Sequence, residues 1–183
     1  MLGLFAAIVV VLQLLSYTVK IGNFNLSLVL IPIVLSGVAF GSGFGAVIGG
    51  VFGLVTVIAS AAGLDGGGNI LFSASPFLTT LVCMVKGIAA GAAAGCYKPL
   101  RAKKPTLAVI LAAITVPVVN TGLFLLGMAA FFGNILNEWA GGTPMVSYII
   151  VGLTGVNFLI ELGINIILSP VILRIISAFK RIK

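Results

Sequence analysis

Three polar side chains recur every four residues inside one apolar stretch: Asn157, Glu161 and Asn165, between Met145 and Leu173. That spacing lines them up on one face of a helix. The stretch is long enough to cross a bilayer, for which roughly 20 apolar residues suffice. A carboxylate near mid-membrane costs at least about 2.5 kcal/mol, so Glu161 is expected to face a partner, a cavity or a solute and not lipid. One opposite charge is available at matching depth. Lys86 lies twelve residues before Lys98, and Glu161 thirteen before Arg174. At about 1.5 Å per helical residue, both stand roughly 18–20 Å from the same basic face. Asn120 and Asn157 fall slightly further out, at about 22 and 25 Å by the same count. Two readings follow. The set is either an interhelical network that only holds helices together, or the lining of a pocket open to the outside, with charges at its floor and amides on its wall. Interhelical hydrogen bonds in membranes average about 0.6 kcal/mol, thin compensation for burying an ion pair. The pocket is the favoured reading for Lys86, Asn120, Asn157 and Glu161. Asn165, nearer the basic face, reads as structural.

Other chemistry has little to work with. The chain has no phosphate-binding GxxxxGK[ST], no HExxH, no GxSxG and no Cys/His cluster. Histidine is absent and acidic residues number three, which argues against metal binding and paired-carboxylate catalysis. No enzymatic activity, cofactor or metal is expected. Cys83 and Cys96 sit thirteen residues apart on one expected helix, too far to bridge, and read as small buried thiols.

The elements that must position the polar set are apolar helices. Of 183 residues, 61% are hydrophobic and 7% charged, with a mean hydropathy of +1.33. Such a chain cannot cover a water-soluble surface, so the expected fold is an all-α integral membrane protein. The expected spans are Leu2–Val19, Leu26–Phe40, Phe44–Ala62, Pro76 to about Cys96, Pro105–Phe132 and Met145–Leu173, a six-helix transmembrane bundle forming one domain over 1–183. Pro32 is expected to interrupt the second span. Stripes of Gly45, Gly49, Gly53 and of Gly87, Gly91, Gly95 suit close helix packing, as does the pair Gly3 and Ala7. Gly63–Ser75 and Gly133–Pro144 read as loops, the latter with Trp139 as an interface anchor. The first helix has no basic leader or cleavage site and reads as retained.

The net charge of +7 is not a nucleic-acid footprint. Eight of the ten basic residues fall in two clusters, Lys98–Lys104 and Arg174–Lys183. Short loops rich in Lys and Arg stay in the cytoplasm, so both termini are expected there and three non-basic loops outside.

Three segments stand in order, Leu28-Val29-Leu30-Ile31-Pro32-Ile33-Val34, Phe40-Gly41-Ser42-Gly43-Phe44-Gly45-Ala46 and Gly49-Gly50-Val51-Phe52-Gly53. They are followed by Pro76-Phe77, Cys83-Met84-Val85-Lys86-Gly87, Val116-Pro117-Val118-Val119-Asn120-Thr121-Gly122 and Asn157-Phe158-Leu159-Ile160-Glu161. Together these segments resemble the substrate-binding S components of energy-coupling factor (ECF) vitamin transporters. The resemblance implies a six-helix bundle in a prokaryotic plasma membrane that captures a vitamin-like small molecule from outside. It implies as partners a transmembrane coupling (T) subunit and two separate cytoplasmic ATPases, whose ATP hydrolysis topples the S component to deliver its cargo. It places Asn23, Phe24 and Asn25 in a lid over the pocket, and makes Gly3 and Ala7 the nearest equivalent of the family's docking patch. A riboflavin-like vitamin is the first expectation for the cargo. Lys86 released from Glu161 would instead suit a carboxylate such as pantothenate or biotin, and corrinoids and queuosine precursors stay open. The competing reading is a self-contained secondary transporter or channel, whose signature, inverted repeats, is not evident.

Overall fold

The computed structural model describes residues 1–18, 20–21, 24–25, 28–144, 147–148 and 155–181. Helix α1 (Leu2–Ser16) leads to a minimal antiparallel hairpin, β1 (Lys20–Ile21) with β2 (Phe24–Asn25), in which Lys20 pairs with Asn25. Then come α2 (Leu30–Phe40), α3 (Ser42–Ala61), α4 (Gly66–Ala74), α5 (Pro76–Gly95), α6 (Lys98–Lys103) and α7 (Pro105–Phe131). Helices α8 (Gly133–Ala140), α9 (Gly155–Ile167) and α10 (Ser169–Arg181) complete the described chain. Helices α3, α5 and α7 are each long and apolar enough to cross a membrane, and α9 with α10 qualify as one bent span. The shorter apolar helices α1 and α2 pack against them. The result is an all-α membrane bundle, with apolar side chains such as Leu4, Leu54, Leu126 and Leu159 on its outer surface.

Local chemistry sets the breaks between helices. Ser75 caps α5 by accepting from the Leu78 N–H, and Pro76 follows at the first helical position, where its missing N–H costs nothing. Gly41 ends α2 and starts α3 at φ 104°, a conformation that side-chain-bearing residues rarely adopt. Pro32 does not interrupt α2 as expected. The helix begins at Leu30, so Pro32 falls in the first turn, where the N–H has no helical partner anyway. The sixth span is not one straight rod. It bends by 42° between α9 and α10, just before Pro170, which cannot continue the hydrogen-bond ladder. The first part of the expected span, residues 145, 146 and 149–154, lies outside the described residues. The basic tail is helical as far as Arg181, and Ile172 and Ile176 of α10 are buried in the core.

Both segments read as loops are partly helical. Gly63–Ser75 contains α4, whose Leu71 is buried against Met128, Phe132 and Leu136. Leu136 belongs to α8, and Trp139 packs half-buried on the same cluster. Short helices with one apolar face satisfy the backbone while covering the end of the bundle.

Helices α3 and α5 interlock through their glycines. A methyl at Gly45 would collide with the Gly91 carbonyl, one at Gly49 with the Gly87 carbonyl, and one at Gly53 with the Cys83 carbonyl at 2.7 Å. Gly95 likewise leaves room for the backbone at Ser42. This contact runs from the end that carries Lys98–Lys104 to Gly53 and Cys83, about one turn past Lys86. The basic residues also hold that end mechanically. Lys98 Nζ donates to the Phe40 carbonyl at 2.9 Å and Arg101 Nη1 to the Ala39 carbonyl at 3.1 Å. Both satisfy carbonyls left open at the C-terminus of α2, where the helix dipole favours cations.

Candidate solute-binding site

From the level of Lys86 outward, polar side chains gather between the helices. The cavity there has a volume of about 90 Å³ and draws on six helices. Helix α1 gives Gln13, with Tyr17 one turn on at its C-terminal cap; α3 gives Phe52, Thr56 and Ser60, again at four-residue steps. Helix α5 gives Thr79, Cys83 and Lys86, α7 gives Asn120 and Phe124, and α9 gives Asn157 and Glu161. Asp65, at the entrance to α4, closes the end away from the basic loops.

Lys86, Asn120, Asn157 and Glu161, singled out by type and depth, therefore line one cavity. Asn120 and Glu161 are 5% and 7% exposed, so polar groups stand deep inside an apolar bundle. The ammonium of Lys86 lies over two aromatic rings, 5.0 Å from the centroid of Phe124 and 5.6 Å from that of Phe52. Such cation–π contacts stabilise a partly desolvated charge by about 0.5–2 kcal/mol. Asn165 is buried below the cavity; it donates to the Glu161 carbonyl on its own helix at 2.8 Å, and its Oδ1 meets no partner among the described residues. Asn23 lies outside the described residues. Phe24 and Asn25 form β2, which touches α4, but their side chains are outside the described set.

Gly3 and Ala7 are exposed on the outside of α1, and a methyl at Gly3 would meet nothing within 4 Å. The pair is not used for packing inside the described bundle. The thiols divide: Cys83 is buried and lines the cavity, whereas Cys96 is exposed and hydrogen-bonds the Ala92 carbonyl, so the expectation of two buried thiols fails for Cys96. Cys96 sits just past α5, beyond the helix contacts that shield Cys83.

Sequence reasoning missed Gln13, Tyr17, Thr56, Ser60, Asp65 and Thr79. A signal was present. Gln13 and Tyr17, and Thr56 and Ser60, stand four apart on otherwise apolar helices, the same pattern that marked Asn157 and Glu161. Three of the cavity's buried polar atoms, Gln13 Oε1, Thr79 Oγ1 and Asn120 Oδ1, meet no hydrogen-bond partner among the described residues. An unmet buried polar group costs about 1–3 kcal/mol, so the site carries unspent hydrogen-bonding capacity.

Fold and site define a class: an integral membrane bundle whose buried polar groups gather around one cavity in one half of its depth. Residues 1–173 match the family model of the ECF transporter substrate-specific component, and the chain belongs to that family. It is a family of transporter substrate-binding subunits and not of enzymes. No curated protein matches the sequence.

Proposed function

We propose that this chain captures a vitamin-like micronutrient from outside a prokaryotic cell and holds it in the cavity between Lys86, Asn120, Asn157 and Glu161. The carrying observation is that Lys86, Asn120, Asn157 and Glu161, from three different helices, line one cavity inside an apolar bundle, where burying polar groups is costly. The cavity's position supports inward traffic. It lies in the half away from Lys98–Lys104, and the positive-inside rule puts that basic loop and both termini in the cytoplasm. Strands β1 and β2 stand beside α4 at the outer end, and the family resemblance gives this segment the role of a cover.

Energy comes from elsewhere, since the chain has no Walker motif. A transmembrane coupling subunit and two ATPases fill that role for this family. The exposed face of α1 with Gly3 and Ala7 is the docking patch we assign to the coupling subunit, because small residues there let another helix approach closely.

The test is mass spectrometry of small molecules released from the detergent-purified protein, followed by titration of the released compound. A stoichiometric micronutrient whose binding weakens in Asn120→Ala is the expected result. A protein that releases nothing and binds nothing refutes the reading.

A further inference from the structure

We infer that Gln13 reads the solute directly: its carbonyl oxygen accepts a hydrogen bond from an N–H or O–H group that the solute presents toward α1. The inference rests on the cavity being the solute site. It begins with a position that packing alone would make apolar. Phe5, Val9 and Gln13 recur every four residues on the buried face of α1, and the first two belong to the apolar core. Gln13 continues that stripe at 3% exposure, where it meets the cavity. A carboxamide buried at such a position needs partners for both its nitrogen and its oxygen.

The nitrogen has one. Gln13 Nε2 donates to the Tyr17 hydroxyl at 2.8 Å, one turn further along. Neighbouring hydroxyls fix the direction of that bond. Thr56 is the other side chain that hydrogen-bonds Tyr17. Thr56 Oγ1 spends its own hydrogen on the Phe52 carbonyl at 2.9 Å, so toward Tyr17 it can only accept. Tyr17 therefore donates to Thr56 and accepts from Gln13. The amide is held with its nitrogen toward Tyr17, and Gln13 Oε1 is the end left over. It is buried and meets no partner among the described residues. A brace for Tyr17 uses only the nitrogen; the fold does not employ the oxygen.

Thr79 Oγ1 on α5 and Asn120 Oδ1 on α7 are in the same condition and line the same cavity. One solute with several polar groups can answer all three helices together. The oxygens of Gln13 and Asn120 are carbonyl oxygens, which only accept. A solute that offers no hydrogen leaves them desolvated and unpaired, whereas amide, amino or hydroxyl groups pair them. Sites built this way reject analogues that lack the matching group.

The experiment uses the full chain in detergent. The small molecule it releases is identified, and derivatives are made in which one N–H or O–H at a time carries a methyl group. The released compound and each derivative are titrated against the parent, Tyr17→Phe and Gln13→Met, with Gln13→Leu as a second variant should the first not melt as the parent does. The released compound is expected to bind Gln13→Met at least about fivefold more weakly than the parent. One derivative is expected to lose a similar factor on the parent and little on Gln13→Met, where the bond it lacks is already gone. If neither Gln13 variant folds, the derivatives on the parent decide, and full affinity for all of them overturns the inference. A residue that only braces Tyr17 gives another pattern: Gln13→Met weakens every derivative alike, by the factor seen in Tyr17→Phe. That pattern overturns the inference and leaves the transport reading standing. So does a released compound without an N–H or O–H group, and so does parental affinity in Gln13→Met. A protein that releases and binds no small molecule removes the transport reading itself, and this inference with it.

Discussion

The two halves of the bundle are built on opposite rules. Toward the basic end, α3 and α5 touch backbone to backbone through Gly45, Gly49, Gly87 and Gly91, and the loop cations Lys98 and Arg101 finish the carbonyls of α2. Toward the other end, the same two helices carry Thr56, Ser60, Thr79 and Lys86 and enclose a cavity in which polar atoms stay unmet. One half gains stability from contact; the other gives some up to keep binding capacity. The change falls within one turn, where Gly87 follows Lys86 and Gly53 follows Phe52. Rigidity on one side of that level holds the polar side chains in place on the other, and such support keeps a binding site preorganised.

The sharpest way to break this contrast is to fill the glycine contact. Gly49→Leu would drive a side chain into the Gly87 carbonyl, and backbone cannot step aside as a side chain can. Overpacking commonly costs about 1–3 kcal/mol, and here at least about 3 is expected. The measurement is thermal melting in detergent, and a variant that melts like the parent would mean the helices are not so tightly joined. In the polar half the expected result is reversed. Lys86→Ala and Asn120→Ala should weaken binding at least tenfold, or about 1.4 kcal/mol, with melting little changed. Parental affinity in both variants, measured by titration, would detach the cavity from the solute.

How much of this was legible in the sequence differs between the halves. Hydropathy and proline placement marked the apolar spans because lipid leaves the backbone few alternatives to helix. The glycine stripes marked two close-packing faces, and the structure joins them to each other where a methyl would meet backbone. Polar residues deep in apolar runs stood out at Lys86, Asn120 and Glu161 because burying them needs a reason. Asp65 did not, because polar residues between spans are ordinary, and only the three-dimensional path of α4 turns this one inward. Thr56 and Thr79 were passed over because a hydroxyl on a membrane helix can satisfy itself on its own backbone. Thr56 does so; Thr79 does not. The bend before Pro170 was likewise open to a straighter reading, since proline near a helix end can simply terminate it.

At the basic end, Arg101→Ala removes one charge-assisted bond to the Ala39 carbonyl and one favourable interaction with the dipole of α2. A loss of about 0.5–1 kcal/mol is expected, visible as a small drop in melting temperature with binding unchanged. A drop in affinity instead would mean that the two halves are coupled through α2.

The smallest and most informative change is Thr79→Val, which swaps the hydroxyl for a methyl at nearly constant volume. Thr79 is 2% exposed and its hydroxyl has no partner among the described residues, so the parent bears a desolvation cost there with nothing to offset it. Removing a satisfied hydroxyl from a packed helix would destabilise it. Removing an unmet one should leave stability unchanged or raise it by up to about 1 kcal/mol. If the hydroxyl is kept for the solute, affinity should fall a few-fold in the same variant. Stability and binding then move in opposite directions, which neither a simple packing defect nor a residue remote from the site produces. A variant that loses stability and keeps its affinity would place Thr79 with the framework, and would shift the boundary between the two halves outward along α5.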